Sequence, residues 1–65
     1  MPKIVKESPD GDYRTLEYGE FKWEYNRFLS RVVWMTWKGH GVPLFMCGRE
    51  ITWQERERYM QSEHG

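Results

Sequence analysis

The chain contains few side chains that could bind a metal or act as a nucleophile. It has one cysteine, Cys47, and two histidines, His40 and His64. Their spacing matches none of the short Cys/His patterns that build a closed tetrahedral zinc site. Cys47 follows an apolar run, whereas a catalytic thiolate needs a cationic, accessible setting. The sequence therefore predicts no metal, no cofactor and no catalytic residue, and we expect no enzymatic activity.

Residues 25–49 contain no carboxylate, although the whole chain has ten Asp and Glu residues, ten Lys and Arg residues and no net charge. Proteins bind single-stranded nucleic acids with aromatic rings that stack on the bases and with cations that follow the phosphate backbone. Trp34 and Trp37 supply such rings within this stretch. Nucleic-acid binding is therefore one of two functional hypotheses. Its candidate residues are Arg27, Arg31, Lys38 and Arg49.

Surplus aromatic side chains indicate protein binding, the leading hypothesis. A chain with four Trp, four Tyr and three Phe among 65 residues cannot bury all of them around one small core. Some of these rings should lie on the surface, and Trp, Tyr and Arg are enriched at the centres of protein interfaces. We expect a small regulatory or inhibitory protein that acts through contacts with another protein. The expected contact residues are Trp23, Trp34, Trp37 and Arg31.

Two of these tryptophans lie on one predicted strand, which runs from Arg31 to Lys38. Side chains alternate between the two faces of a strand, so Trp34 and Trp37 should point to opposite sides. One of them is then expected in the core and the other on a functional surface.

Length and composition predict a single small domain over residues 1–65, with 1–12 a partly ordered N-terminal segment and 62–65 a frayed tail. A domain of this size buries only about 60% of its unfolded surface, so a homodimer would add stability. One cysteine excludes an intramolecular disulfide. No apolar run reaches the ~20 residues needed to cross a bilayer, and residues 1–7 lack the apolar segment of a signal peptide. We expect a cytoplasmic protein without a membrane partner.

Alternating residues between positions 15 and 25 predict a β-hairpin. Gly19-Glu20 suits a two-residue turn, which places Tyr18 opposite Phe21, Leu16 opposite Trp23 and Glu17 opposite Lys22. All three of these cross-strand pairs are chemically favourable. The competing interpretation is an amphipathic helix over about residues 20–36, because five apolar residues follow a helical spacing. They are Phe21, Tyr25, Phe28, Leu29 and Val32.

The C-terminal third predicts a returning strand over residues 42–47 and then a helix. Thr52 and Glu55 have the spacing of a capping box, which starts a helix near Trp53. Arg56 and Arg58 suit its exposed face. The predicted fold class is α+β, a small antiparallel sheet of three or four strands with a C-terminal helix. The alternative is mainly α, with a long helix at about 20–36 and a short hairpin.

Two short segments resemble those of chromodomains, which join a small antiparallel sheet to a C-terminal helix. They are Trp37-Lys38-Gly39 and Thr52-Trp53-Gln54-Glu55. Their separation is longer here, so we do not transfer the family's function. An aromatic cage for a cationic ligand is physically compatible with the aromatic residues of this chain.

Overall fold

A computed structural model describes residues 1–47 and 50–64 of the chain. These residues form a five-stranded antiparallel sheet, whose strands lie side by side in chain order, followed by a short 3₁₀ turn and a C-terminal helix. The predicted α+β class is confirmed, with five strands rather than three or four. The region 20–36 contains two strands joined by a turn rather than a long helix. The elements are β1 Lys3–Glu7, β2 Tyr13–Tyr18, β3 Phe21–Asn26, β4 Arg31–Trp37, β5 His40–Gly41, the 3₁₀ turn Leu44–Met46 and α1 Trp53–His64.

The β2–β3 hairpin has the register that the sequence predicts. Leu16 lies opposite Trp23, and the hairpin closes with Tyr18 opposite Phe21. Gly19 turns the chain with a φ of 59°, in the left-handed region that glycine enters without a steric penalty. Alternation along both strands puts the large apolar side chains on one face, here called the inner face.

The N-terminal segment contributes a strand of its own. β1 pairs with β2, and a β-bulge interrupts the register between Ile4 and Lys6. The turn that follows is closed by Asp10, whose carboxylate accepts hydrogen bonds from the Ser8 hydroxyl at 2.6 Å and the Asp12 amide at 3.0 Å. These two bonds favour the ionised form and lower the pKa of Asp10.

β4 has a bulge in its first half, and on the side away from β3 it pairs with the very short strand β5. Val33 is the extra residue, because Tyr25 pairs with Val32 and Glu24 pairs with Trp34. β5 pairs only with Thr36 and Trp37. The strand expected over residues 42–47 does not form. Pro43 has no backbone N–H to donate to a sheet, and the chain after it turns into the 3₁₀ segment Leu44–Met46.

The core lies between the inner face and α1. Trp53, at the start of the helix, packs its ring on three aromatic rings of the hairpin, at centroid distances of 4.9 Å to Tyr18, 5.0 Å to Trp23 and 5.2 Å to Phe21. Met60, two turns further along the helix, is fully buried. The buried apolar side chains are Phe21, Trp23, Met35, Trp37, Val42, Met46 and Met60.

α1 begins after the predicted N-cap, since the Glu55 amide donates to the Thr52 hydroxyl at 3.2 Å. Arg56 is not on the exposed face as the charge pattern indicated, because only 4% of it is exposed. It shares the buried side of the helix with Met60, lies over the Trp53 ring at 4.5 Å and donates to the Met46 carbonyl. The helix continues through residues 62–64 of the tail 62–65 that was expected to fray, and Gly65 falls outside the described residues. The His64 ring stacks on His40 at 4.1 Å.

Candidate functional site

Two of the predicted contact residues lie in the core. Trp37 is 3% exposed and Trp23 is 7% exposed. Trp23 lies opposite Met35, and Trp37 lies opposite Phe21, so both rings belong to the inner face under the helix. Their assignment to a partner surface is therefore corrected to a packing role.

Trp34 and Arg31 are the predicted contact residues that reach solvent. Trp34 is 38% exposed and lies on the face of β4 opposite to Trp37. The bulge at Val33 precedes Trp34, so alternation from Trp34 to Trp37 is undisturbed. The expectation that one of these tryptophans is core and the other exposed agrees with the structure.

The first half of β4 forms an open edge of the sheet. The Val42 amide donates to the Met35 carbonyl at 2.9 Å, so the returning chain is hydrogen-bonded to the second half of this strand. Within the described residues, no strand pairs with positions 31–34 on the side away from β3. Such an edge presents backbone groups that can pair with another chain.

The 3₁₀ turn carries two exposed apolar side chains, one of which lies beside this edge. Leu44 is 69% exposed and Phe45 is 74% exposed. Leu44 shares a cleft of about 290 Å³ with Arg31 and Val33 of β4. The Phe45 ring meets Tyr59 of α1 edge-on, at 6.4 Å between centroids. We call the set Arg31, Val33, Trp34, Leu44 and Phe45 the β4 surface.

Leu44 and Phe45 were missed as surface residues because an apolar run predicts burial. The signal that identifies them is Pro43, which prevents the run from continuing as a strand. A 3₁₀ turn has three residues per rotation, so only one of its three side chains can point steadily inwards. Met46 is that residue, and Leu44 and Phe45 turn outwards.

The described basic residues proposed for nucleic-acid binding lie at two different ends of the sheet. Arg27 follows β3 at one end of the strands, whereas Lys38 follows β4 at the other, where its amide donates to Glu20. The Lys38 amine lies 4.7 Å from the centroid of the Trp37 ring. Arg31 lies at the same end as Arg27, and Arg49 falls outside the described residues. Arg27 and Arg31 therefore do not form one continuous basic track with Lys38.

Cys47 is a half-buried thiol whose Sγ lies 3.7 Å from the Pro43 carbonyl as a weak donor. Burial raises the pKa of the Cys47 thiol, and the nearby charge of Arg56 opposes this only in part. Residues 1–47 and 50–64 hold no group of three metal-binding side chains. Nor does that part of the chain contain a helix long and apolar enough to cross a membrane.

Comparison with known proteins gives no family for this chain. No protein-family model, no curated protein and no solved structure matches it. The arrangement of side chains at the β4 surface and in the adjoining clefts is therefore the basis for a functional assignment.

Proposed function

We propose that this chain is a non-enzymatic regulatory or inhibitory module that binds another protein through the β4 surface. The observation that carries the proposal is the open edge of β4, where the exposed Leu44 shares a cleft with Arg31 and Val33 and where Trp34 of the same strand is also exposed. Exposed apolar groups that lie together on a small soluble domain generally mark an interaction site. Arg31 and Trp34 belong to this strand, and Arg and Trp are typical of the residues that dominate binding energy.

The open edge suits a partner that binds as an extended segment. Such a segment adds a strand by main-chain hydrogen bonds, and pockets for its side chains give specificity. The cleft between β4 and Leu44 is a pocket of this kind. The opposite edge of the sheet is protected differently, since β1 carries Lys3 and Lys6 and a bulge, which discourage pairing.

Nucleic-acid binding is the alternative proposal, and the separation of Arg27 from Lys38 makes it weaker. A phosphate backbone is held by cations along a continuous path, and its binding falls steeply with salt. A protein partner held by apolar contacts at the β4 surface should instead tolerate salt. The two proposals therefore differ in a property that is simple to measure.

Substitutions on the β4 surface should remove partner binding without unfolding the domain. We expect Trp34→Ser and Phe45→Ser each to weaken binding about 30-fold, equal to the ~2 kcal/mol of an interface hot spot. Both side chains are exposed, so the free energy of unfolding should change by about 0.5–1 kcal/mol at most. The partner is captured from cell extract with the wild-type chain, purified, and titrated against each variant by calorimetry.

Val5→Ser is the matched control, because Val5 is an exposed apolar residue on the opposite edge of the sheet. It should leave the affinity unchanged. Capture is repeated with nuclease and at two salt concentrations. Loss of the captured partner on nuclease treatment, or an affinity that falls steeply with salt, would reject the protein-binding proposal in favour of nucleic acid. Equal weakening by Val5→Ser would reject the β4 surface.

A further inference from the structure

Two histidines that are far apart in the sequence meet on the surface of the fold. The imidazole rings of His40 and His64 lie face to face, with 4.1 Å between their centroids and 4° between their planes. His40 belongs to β5 and lies opposite Trp37 of β4, and His64 is in the last turn of α1. The sheet and the helix therefore each position one ring. We call His40 and His64 the histidine pair.

Both rings of the histidine pair are accessible and have nitrogens available for a ligand. Both side chains are exposed to solvent. Among the described residues, neither ring makes a hydrogen bond or an ion pair, so its only recorded contact is the other ring. A neutral imidazole then keeps one unshared lone pair. That nitrogen is the commonest ligand that proteins offer to metal ions.

The distance between the two rings suits a shared metal ion. Zinc–nitrogen bonds are about 2.0–2.1 Å long, so two ligand nitrogens on a tetrahedral ion lie about 3.3 Å apart. The spacing of 4.1 Å between ring centroids is close to this value. Stacked rings direct their nitrogens in parallel, so each ring must turn about its Cβ–Cγ bond to face one ion. This torsion is broad in histidine, and the rings are exposed, so packing does not oppose the turn.

The surroundings of the histidine pair are compatible with a divalent cation. The C-terminal end of a helix has a partial negative charge, which favours a cation beside His64. Glu63 precedes His64 in the chain and adds a negative charge. Lys38, close to His40 in the chain, is the opposing charge, and its amine lies over the Trp37 ring. Residues 1–47 and 50–64 bring no third metal-binding side chain to the pair, so water would complete the coordination, as it does at open zinc sites.

We infer that the histidine pair binds a divalent transition-metal ion such as Zn²⁺ through one nitrogen of each ring. Ions of this class prefer imidazole, whereas Mg²⁺ and Ca²⁺ prefer oxygen ligands. The bound ion joins the last turn of α1 to β5, so it should stabilise the folded chain by mass action. Short sequence motifs cannot indicate such a site, because only the fold brings His40 and His64 together. The inference does not depend on a protein partner at the β4 surface.

Titration of zinc chloride into the untagged chain at neutral pH tests the inference. Heteronuclear NMR should show the imidazole signals of both histidines moving together at sub-millimolar zinc, whereas magnesium chloride at the same concentration should leave them in place. His40→Gln and His64→Gln should each weaken zinc binding at least about tenfold by calorimetry, because the second ligand no longer binds within the same molecule. Both side chains are exposed, so without zinc the variants should unfold at nearly the same urea concentration as the wild type.

Cys47→Ser is the control, because Cys47 is the thiol that would compete with the histidine pair for zinc. It should leave zinc binding unchanged. Zinc should raise the urea midpoint of the wild type and of Cys47→Ser, but not that of either histidine variant. The inference is overturned if sub-millimolar zinc moves neither imidazole, if either histidine variant binds zinc as tightly as the wild type, if magnesium binds equally well, or if Cys47→Ser removes the binding.

Discussion

Trp37→Ala should lower the free energy of unfolding by about 3–5 kcal/mol, the usual cost of deleting a buried indole ring. Trp37 is the most deeply buried tryptophan and lies opposite Phe21 on the inner face. A domain of this length has a total stability of only about 3–10 kcal/mol, so the substitution should remove a large fraction of it. Urea denaturation followed by circular dichroism measures the loss.

Trp34→Ala is the matched variant, because it deletes the same side chain three residues earlier on the same strand. Trp34 is exposed on the other face, so the expected loss is about 1 kcal/mol or less. Similar losses from the two substitutions would contradict the division of these tryptophans between core and surface.

Trp53→Ala should have the second-largest effect, a loss of about 3 kcal/mol. Its ring joins α1 to the β2–β3 hairpin, with its centroid about 5 Å from those of Tyr18, Trp23 and Phe21. Aromatic pairs of this kind contribute about 0.5–1.5 kcal/mol each beyond the area that they bury. Without the ring, α1 should undock, and its far-UV dichroism signal should weaken at a lower urea concentration than in the wild type.

Trp53→Phe should recover part of the lost stability, because a smaller ring still reaches the cluster. Gln54→Ala, at the next and exposed position of the helix, should change the free energy of unfolding by about 0.5 kcal/mol or less. If Trp53→Ala and Gln54→Ala unfold at the same urea concentration, the aromatic cluster does not hold the helix to the sheet.

Local patterns in the sequence predict a large part of this fold. The β2–β3 hairpin follows from alternation on both sides of Gly19, because its register depends on a two-residue turn and on neighbours close in the chain. The start of α1 follows from Thr52, whose hydroxyl caps the first turn. Both features depend on interactions between residues that are close in sequence.

Features that depend on distant parts of the chain could not be predicted in the same way. Arg is usually a surface residue, so the sequence does not indicate that Arg56 is buried. Its burial depends on its contacts with the Trp53 ring and the Met46 carbonyl. The fifth strand is only two residues long, which is too short to show an alternation of apolar and polar residues in the sequence. The bulge at Val33 has no local signal and arises from the pairing of β4 with β3.

The candidate site was predictable only in part. Alternation along β4 shows that Trp34 and Trp37 face opposite sides, but which side is covered depends on the docking of α1. Trp23 lies between charged residues on β3, so alternation shows that it is on the apolar face of an amphipathic strand. That this face is the buried one depends on the position of α1. The exposure of Leu44 and Phe45 depends on the 3₁₀ turn. This turn can be recognised only once the strand is known to end at Gly41.

Hydrogen exchange of the indole N–H groups tests the central claim, that one face of β4 is core and the other is free for a partner. The Nε1 atom of Trp37 is buried without a hydrogen-bond partner among the described residues, so its proton can exchange only when the domain opens. We predict that it exchanges on the order of a hundredfold more slowly than that of Trp34, because global opening costs at least about 3 kcal/mol. Equal exchange rates, or slower exchange at Trp34, would contradict the assignment of Trp34 to the β4 surface.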